Sequence, residues 1–218
     1  MSTSWATSFD IYRMLTAAGI AENGLNQFQQ AIDFNTALAT AQKHIERETM
    51  FEPFLATASS SLTFDPWEVK YNSERLLLQL PGGLASNHPV TIVANSQTLT
   101  QDSDYWMMSQ RAIAAGKPFY AIEFLHPPSG PRKSLVITGY WGYSDVLPDY
   151  IFRAHVQLTC VQIAPEIAQA LSGGLISWKE ADTEEAYGAD RLKVAVAGWN
   201  DAANKAINLC RKTSYRVF

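Results

Sequence analysis

Hydrophobic periodicity changes twice along this chain of 218 residues, and that double switch limits the fold more than any single motif does. Toward both ends, apolar residues recur at three- and four-residue steps, the period of a helix with one buried face. Between them lie short apolar runs split by Pro, Gly, Asn and Asp, the punctuation of strands and turns. Helices that cannot hide an apolar face alone must pack on one another. The expected fold class is therefore α+β. A helical bundle drawn from both chain ends, 1–58 and 145–211, would carry an inserted antiparallel β-rich domain, 59–144, and an extended C-terminal arm, 212–218.

The helical ends can be read in more detail. A short helix spans 8–18, with Ser8 as its N-cap and Gly19 as its stop. A longer one starts near residue 24 or 25 and runs to 48. It places Phe28, Ile32, Leu38, Ala39 and Ile45 near one face, and Pro53 ends it. Pro148 suits the first position of a third helix. That helix is apolar on most sides, with Ile151, Ala154, Leu158 and Val161 on one face and Phe152, Val156 and Ile163 on another. Pro165 should kink or break it, and Gly173-Gly174 should end it. Residues 178–190 are polar and acidic and read as a loop. A last helix covers 191–211, with Leu192, Val196, Trp199, Ala203, Ala206 and Cys210 on one side and a weakening Gly198.

The middle reads as five strands: 75–80, closed by Pro81-Gly82-Gly83; 90–94; 104–108; 119–125; and 134–141. Strands this short and so spaced fit an antiparallel sheet with one buried face.

Charge is scarce. Asp, Glu, Lys and Arg make up 17% of the chain, against about 25% in a typical soluble domain. Gln, Asn, Ser and Thr take their place. The deficit falls in two blocks. No ion occurs from Leu76 to Gln101, and only Glu166 between Ala154 and Trp178. Such blocks fit either core elements or a subunit interface, whose centre is depleted in charge. The net charge of −4 argues against nucleic-acid binding as the main task. No run is long enough for a membrane span, so no membrane partner is expected. The first residues show no secretory signal. Two cysteines, Cys160 and Cys210, make no disulfide framework and fit a reducing compartment.

A search for chemistry returns little. Pro81-Gly82-Gly83 lacks the Gly-Lys-Ser/Thr of a phosphate loop, and there is no Gly-x-Ser-x-Gly elbow. His44 and Glu48 lie one helical turn apart, with no third metal ligand indicated. They read as a surface pair or an exposed helix end. His155, in an apolar helix, reads as a satisfied or an exposed polar residue rather than a catalytic one, and Cys160 as a small core residue. His88 and His126, beside prolines, read as incidental. Asp102 and Asp104 suit a turn. No catalytic residue, cofactor or metal is assigned, and the expected protein is not an enzyme.

One stretch is more specific. Val136-Ile137-Thr138-Gly139-Tyr140-Trp141-Gly142-Tyr143 is followed by Val146-Leu147-Pro148-Asp149-Tyr150-Ile151 and Ala154. This resembles a segment of the head–tail connector, or adaptor, proteins of tailed bacteriophages, in which Gly139, Trp141, Gly142, Tyr143, Pro148 and Ala154 hold the motif positions. Weaker pieces resemble the family in order: the helix end Ile45-Glu46-Arg47-Glu48-Thr49, Leu80-Pro81-Gly82, Asp104-Tyr105, and Glu185 with Tyr187-Gly188 before the last helix. The resemblance implies a structural virion protein of the neck, made in the host cytoplasm. It implies a ring, typically of twelve copies, beneath the portal protein, joined to a further neck or tail component. Genomic DNA would pass through the lumen without specific binding. It also implies that the C-terminal segment docks on the portal. Here that segment holds Arg211, Lys212, Tyr215, Arg216, Val217 and Phe218, and no acidic residue follows Asp201. A basic, aromatic-ended extended arm suits capture on an acidic or strand-edge surface. A head-completion or tail-terminator protein, or a cytosolic enzyme or ligand binder, stands as the alternative.

Overall fold

The computed structural model describes residues 4–20, 32–72, 74–108, 116–171 and 186–211. Within these the protein is mixed α+β, with four α-helices and two antiparallel four-stranded sheets. It falls into two compact units, one made of Met1–Thr49 and Leu147–Arg211, the other built on Met50–Val146.

The helical unit holds α1 (Ser8–Ala17), α2 (Phe34–Thr49), α3 (Asp149–Leu171) and α4 (Ala186–Cys210). α1 is capped by Thr7 rather than by Ser8. Asp10 reaches back to the Thr7 backbone N–H (2.9 Å) and hydroxyl (2.8 Å), and this exchange fixes the start one residue earlier. Gly19 stops the helix as expected. Its φ of 70° lets Gly19 N–H reach the Thr16 carbonyl and Ile20 N–H reach that of Leu15.

α2 begins at Phe34, so Ile32 lies outside it, and the expected start near residue 24 or 25 falls outside the described residues. Asp33 caps the helix by accepting from the Thr36 N–H and hydroxyl. These two bonds, despite slight desolvation, hold the Asp33 carboxyl below its usual range. The buried stripe is Phe34, Ala37, Ala41 and Ile45. Ala39, expected on that face, is exposed. The helix stops at Thr49, and Met50, at φ 62°, breaks it ahead of Pro53.

α3 starts at Asp149. Pro148 precedes it, one position earlier than expected, and its carbonyl accepts from Ile151 and Phe152. Val156, Cys160, Ile163 and Ile167 pack in one core with Ile11, Leu15, Phe34 and Leu192. α3 touches the other three helices. That packing explains why Pro165 does not break it, although one missing bond and a ring clash cost about 3 kcal/mol. The helix runs on to Leu171. Gly173-Gly174 lies outside the described residues. α4 starts at Ala186, so 186–190, read as loop from its polarity, is helical. Its buried side carries Leu192, Ala203, Ala206, Ile207 and Cys210.

The β unit is a sandwich. One sheet has the order β1 (Ser59–Phe64), β8 (Leu135–Tyr140), β4 (Thr91–Ala94), β5 (Gln97–Leu99). The other has β2 (Lys70–Asn72), β3 (Arg75–Leu84), β7 (Phe119–Phe124), β6 (Tyr105–Met107). Their inner faces share one core: Phe64, Leu135, Ile137 and Ile92 from the first, Leu76, Leu78, Ile122, Phe124 and Tyr105 from the second.

Five strands were expected and eight are present. The additional ones, β1, β2 and β5, are edge strands, which need little apolar sequence because one side meets solvent. β4 and β5 form a hairpin through Asn95-Ser96, both at positive φ (47° and 67°), the requirement of a type I′ turn. Pro81-Gly82-Gly83 does not close β3. The strand passes through it with a register shift between Gln79 and Leu84, and Leu84 then pairs with Trp141 as well as Phe119. The bulge carries β3 from one sheet to the other, a usual way to build a sandwich corner.

Candidate functional site

The motif residues of the β unit form one pinned corner. At Gly139 an added Cβ would lie 2.8 Å from Leu84 Cδ2, so glycine lets the β3 crossover sit against β8. Gly142 has φ 146°, and an added Cβ would meet Pro53 O, Phe54 O and Ala56 N, all at 3.0 Å. Two chain segments cross here. Tyr143 N–H donates to Phe54 O (2.8 Å) and Ala56 N–H to Ser144 O (2.9 Å). From the other side, Gly142 N–H donates to Gly83 O (3.0 Å) and Ala85 N–H to Tyr140 O (2.9 Å). Tyr143 stacks on Phe54 at 4.8 Å, and Phe51 meets Tyr143 edge-on at 5.3 Å. Phe51 and Phe54, which the sequence leaves with the helices, thus belong to the β unit. The Trp141 indole N–H donates to the Ser60 carbonyl at 3.0 Å. Trp141 and Tyr143 are both buried.

In the helical unit, Pro148 opens α3 and Ala154 is fully buried. Gly139, Trp141, Gly142, Tyr143 and Ala154 therefore sit where backbone or packing demands them, and Pro148 is half-buried just ahead of α3.

His88, read as incidental, has specific partners. Its ring stacks on Tyr140 at 3.9 Å, and Nε2 lies 3.1 Å from Asp145 Oδ2. Asn87 donates to Asp145 Oδ1 at 2.7 Å. Partial burial pushes the Asp145 carboxyl up. The bonds from Asn87 and His88 and the attraction of His88 outweigh that and hold it below the usual range. These side chains tie the 85–90 loop to the 144–146 turn. Val90 and Pro89 surround Gly139 next to it. The sequence hint was Asn87-His88-Pro89, a turn whose polar residues lie far along the chain from their partner.

His155 is a satisfied polar residue. It is 1% exposed, accepts from Ala6 N–H at Nδ1 (3.2 Å) and meets the Leu38 carbonyl with Nε2 (2.9 Å). Cys160 is buried, and burial pushes its thiol up to about 12, far from a nucleophile's range. Cys210 is also buried, its thiol 3.2 Å from the Tyr150 hydroxyl. Asp104 accepts from Thr100 N–H at 2.7 Å and Asp102 has φ 69°, both in the turn before β6. Glu48 does not pair with His44. Its carboxylate takes Arg211 Nη2 at 2.7 Å, and its carbonyl takes Arg211 Nε at 3.1 Å. The other arm residues, Lys212, Tyr215, Arg216, Val217 and Phe218, lie outside the described residues, as does Glu185. Gly188 falls inside α4 rather than before it.

Two concavities open on the β unit. One, about 330 Å³, lies beside β2 and β3 among Glu68, Lys70, Tyr71, Asn72 and Gln79. The other, about 140 Å³, is lined by Asn95, Gln97, Asp104, His126 and Ser129, and is smaller than the roughly 300–1,000 Å³ of small-molecule sites. Among the described residues no group of His, Cys, Asp and Glu could hold a metal ion, and no helix is long and apolar enough to cross a membrane.

The two charge-poor blocks differ. The described part of the second is mostly core: His155, Val156, Leu158, Thr159, Cys160, Ile163, Ala164 and Ile167 are buried. The first is only half core. Ile92, Ala94, Leu78 and Leu80 point inward, while Thr91, Gln97, Thr98, Thr100 and Gln101 are exposed. The candidate functional surface is thus the uncharged outer side of β1–β8–β4–β5. A scan against protein-family models and searches of curated proteins and solved structures find no match for the chain.

Proposed function

We propose that this chain is a structural subunit of a tailed-phage neck: an adaptor that rings the exit beneath the portal protein, joins it to the next neck or tail component, and lets the genome pass through its lumen. In this reading the helices of both chain ends form a bundle and the β sandwich is its insertion. The observation that carries it is the pinned corner at residues 139–143, where Gly139, Trp141, Gly142 and Tyr143, four positions of the adaptor resemblance, each answer a packing need. Supporting it, His88, His155 and Cys160 are all committed to packing.

The C-terminal arm, Lys212 to Phe218, is the proposed portal contact, with Arg211 as its root. The test is native mass spectrometry and electron microscopy of the chain alone and mixed with the portal protein encoded in the same genome. A ring on the portal is the expected result. A chain that stays single in both samples refutes the reading. Deleting 212–218 should abolish portal docking and leave the circular dichroism spectrum unchanged, and docking that survives the deletion refutes the arm's role.

A further inference from the structure

The sandwich has four sheet edges, and they are unequal. β2, β5 and β6 are three residues long, whereas β1 runs six residues in unbroken register from Ser59↔Tyr140 to Phe64↔Leu135. Exposed edges template pairing with other chains, and proteins usually blunt them with short length, charge, proline or a bulge. β1, Ser-Ser-Ser-Leu-Thr-Phe, has none of these, and Ser59 through Thr63 are exposed. The opposite edge of the same sheet, β5, has no charge in its own residues Gln97–Leu99, and beyond it Thr100 turns away, its N–H held by the Asp104 carboxylate at 2.7 Å. The face between them carries Ser61, Thr63, Thr138, Thr91, Val93 and Thr98, again with no ion. The other sheet is the internal control. Its outer side bears Lys70, Arg75 and Glu123, with Arg75 and Glu123 3.8 Å apart. Of the two sheets, this one alone lacks charge on its outer face and in both edge strands.

We infer that β1 of one copy pairs with the β5 edge of a second copy of this chain, head to tail, so that the β1–β8–β4–β5 sheet continues from subunit to subunit. Strand parity permits this. Every neighbour in the sheet is antiparallel, so in a four-stranded sheet the two edges run in opposite directions. A copy added in the same sense meets β1 antiparallel and keeps the alternation. Pairing β1 with another β1 would also be antiparallel, but it would leave the uncharged β5 edge, Gln97–Leu99, unpaired. It would also close at two copies, whereas a heterologous contact builds rings. Within the strands themselves, 59–64 and 97–99, neither edge brings a charge that the other would have to desolvate. The inference rests on the adaptor-ring reading and names the surface its copies share.

Cross-linking tests it. Ser61→Cys and Thr98→Cys lie on exposed sites of opposite edge strands, about 16 Å apart within one chain, three strand spacings across and two residues along. A bis-maleimide shorter than that span can therefore join them only between copies. The double variant, at high concentration and on the portal, should give a ladder of covalent oligomers. Each single variant should give none, with the wild-type chain and its buried Cys160 and Cys210 as background. Dimers from Ser61→Cys alone overturn head-to-tail pairing. A ring seen by electron microscopy that yields no ladder overturns the edge contact and leaves the ring reading standing. A chain that never assembles overturns both. Independently, Ser61→Lys with Thr98→Lys should keep the native spectrum and weaken self-association about tenfold, because like charges meet across the joint. Unchanged association refutes the contact.

Discussion

The backbone N–H of Ala6 donates to Nδ1 of His155 across 149 positions of sequence, and the opposite ring nitrogen meets the Leu38 carbonyl. The ring can satisfy both only as the neutral tautomer with its proton on Nε2, because a protonated ring has no lone pair for Ala6. Burial lowers the imidazole's proton affinity below the ordinary value of 6.5, against the opposing pull of the Leu38 carbonyl and Asp10. The unfolded chain then binds the proton more readily than the native one. His155 therefore contributes full stability above pH 6.5, and that contribution is lost as pH falls through 6.5 toward the lowered native value. Urea denaturation at stepped pH should show this slope in the wild-type chain and a smaller one in His155→Gln. His155→Ala leaves two buried backbone groups unpaired and should cost about 2–4 kcal/mol at pH 7.5. Equal slopes in wild type and His155→Gln would remove His155 as their source.

This network also shows what the sequence could reveal. That His155 sits in an apolar helix followed from its neighbours' periodicity, which left open whether it is satisfied or exposed. Its partners did not, because Ala6 and Leu38 contribute backbone atoms, which leave no mark on residue type. The same holds for the corner at Gly142. Strand β8 and the helix after Pro148 were legible from apolar runs and from proline, but the crossing of 53–56 and 83–85 beneath the glycine was not. The polar edge strands β1 and β5 escaped because solvent relieves an edge of the hydrophobic pattern that betrays a central strand. Pro81-Gly82-Gly83 read as a stop and is a bulge, since the hydrogen bonds that carry β3 onward come from distant strands. His88 looked incidental because Asp145 is far from it in sequence.

Gly142 and Gly139 should respond differently to alanine. At Gly142 the new Cβ meets three backbone atoms at 3.0 Å and the φ of 146° is strained for any L side chain. Neither can relax without moving the 53–56 crossing. Gly142→Ala should cost about 3 kcal/mol or more. At Gly139 the contact is the end of the Leu84 side chain, which can turn aside, so Gly139→Ala should cost about 1–2 kcal/mol as an overpacked core site. Thermal denaturation of the two variants compares them directly, and a larger loss at Gly139 would contradict the backbone crossing.

Gly198 offers the opposite sign. It lies inside α4, is exposed, and an added Cβ would meet nothing within 4 Å. Glycine in a helix interior is worth about 0.5–1 kcal/mol less than alanine, through its backbone freedom in the unfolded chain. Gly198→Ala should raise the unfolding free energy by about that amount. A destabilised variant would mean that α4 needs the bare backbone there, for instance against a neighbouring copy.

Arg211 has two roles to separate: root of the proposed portal arm, and clamp on the end of α2. Its guanidinium spans the Glu48 carboxylate and carbonyl, which neutralises the negative end of that helix dipole. The pair is substantially exposed, at 49% for Arg211 and 32% for Glu48, so solvent and salt screen it. Arg211→Ala should therefore cost no more than about 1 kcal/mol, and less at high ionic strength. A double-mutant cycle with Glu48→Gln isolates the pair. If Arg211 acts only as the clamp, Arg211→Ala and Glu48→Gln will weaken portal docking equally, through the fraying of α2. If the arm uses Arg211 directly, Arg211→Ala will weaken docking while Glu48→Gln, which frees the guanidinium, will leave it intact or strengthen it. Equal stability loss with unequal docking thus assigns Arg211 to the portal, and equal losses in both assign it to the helix end.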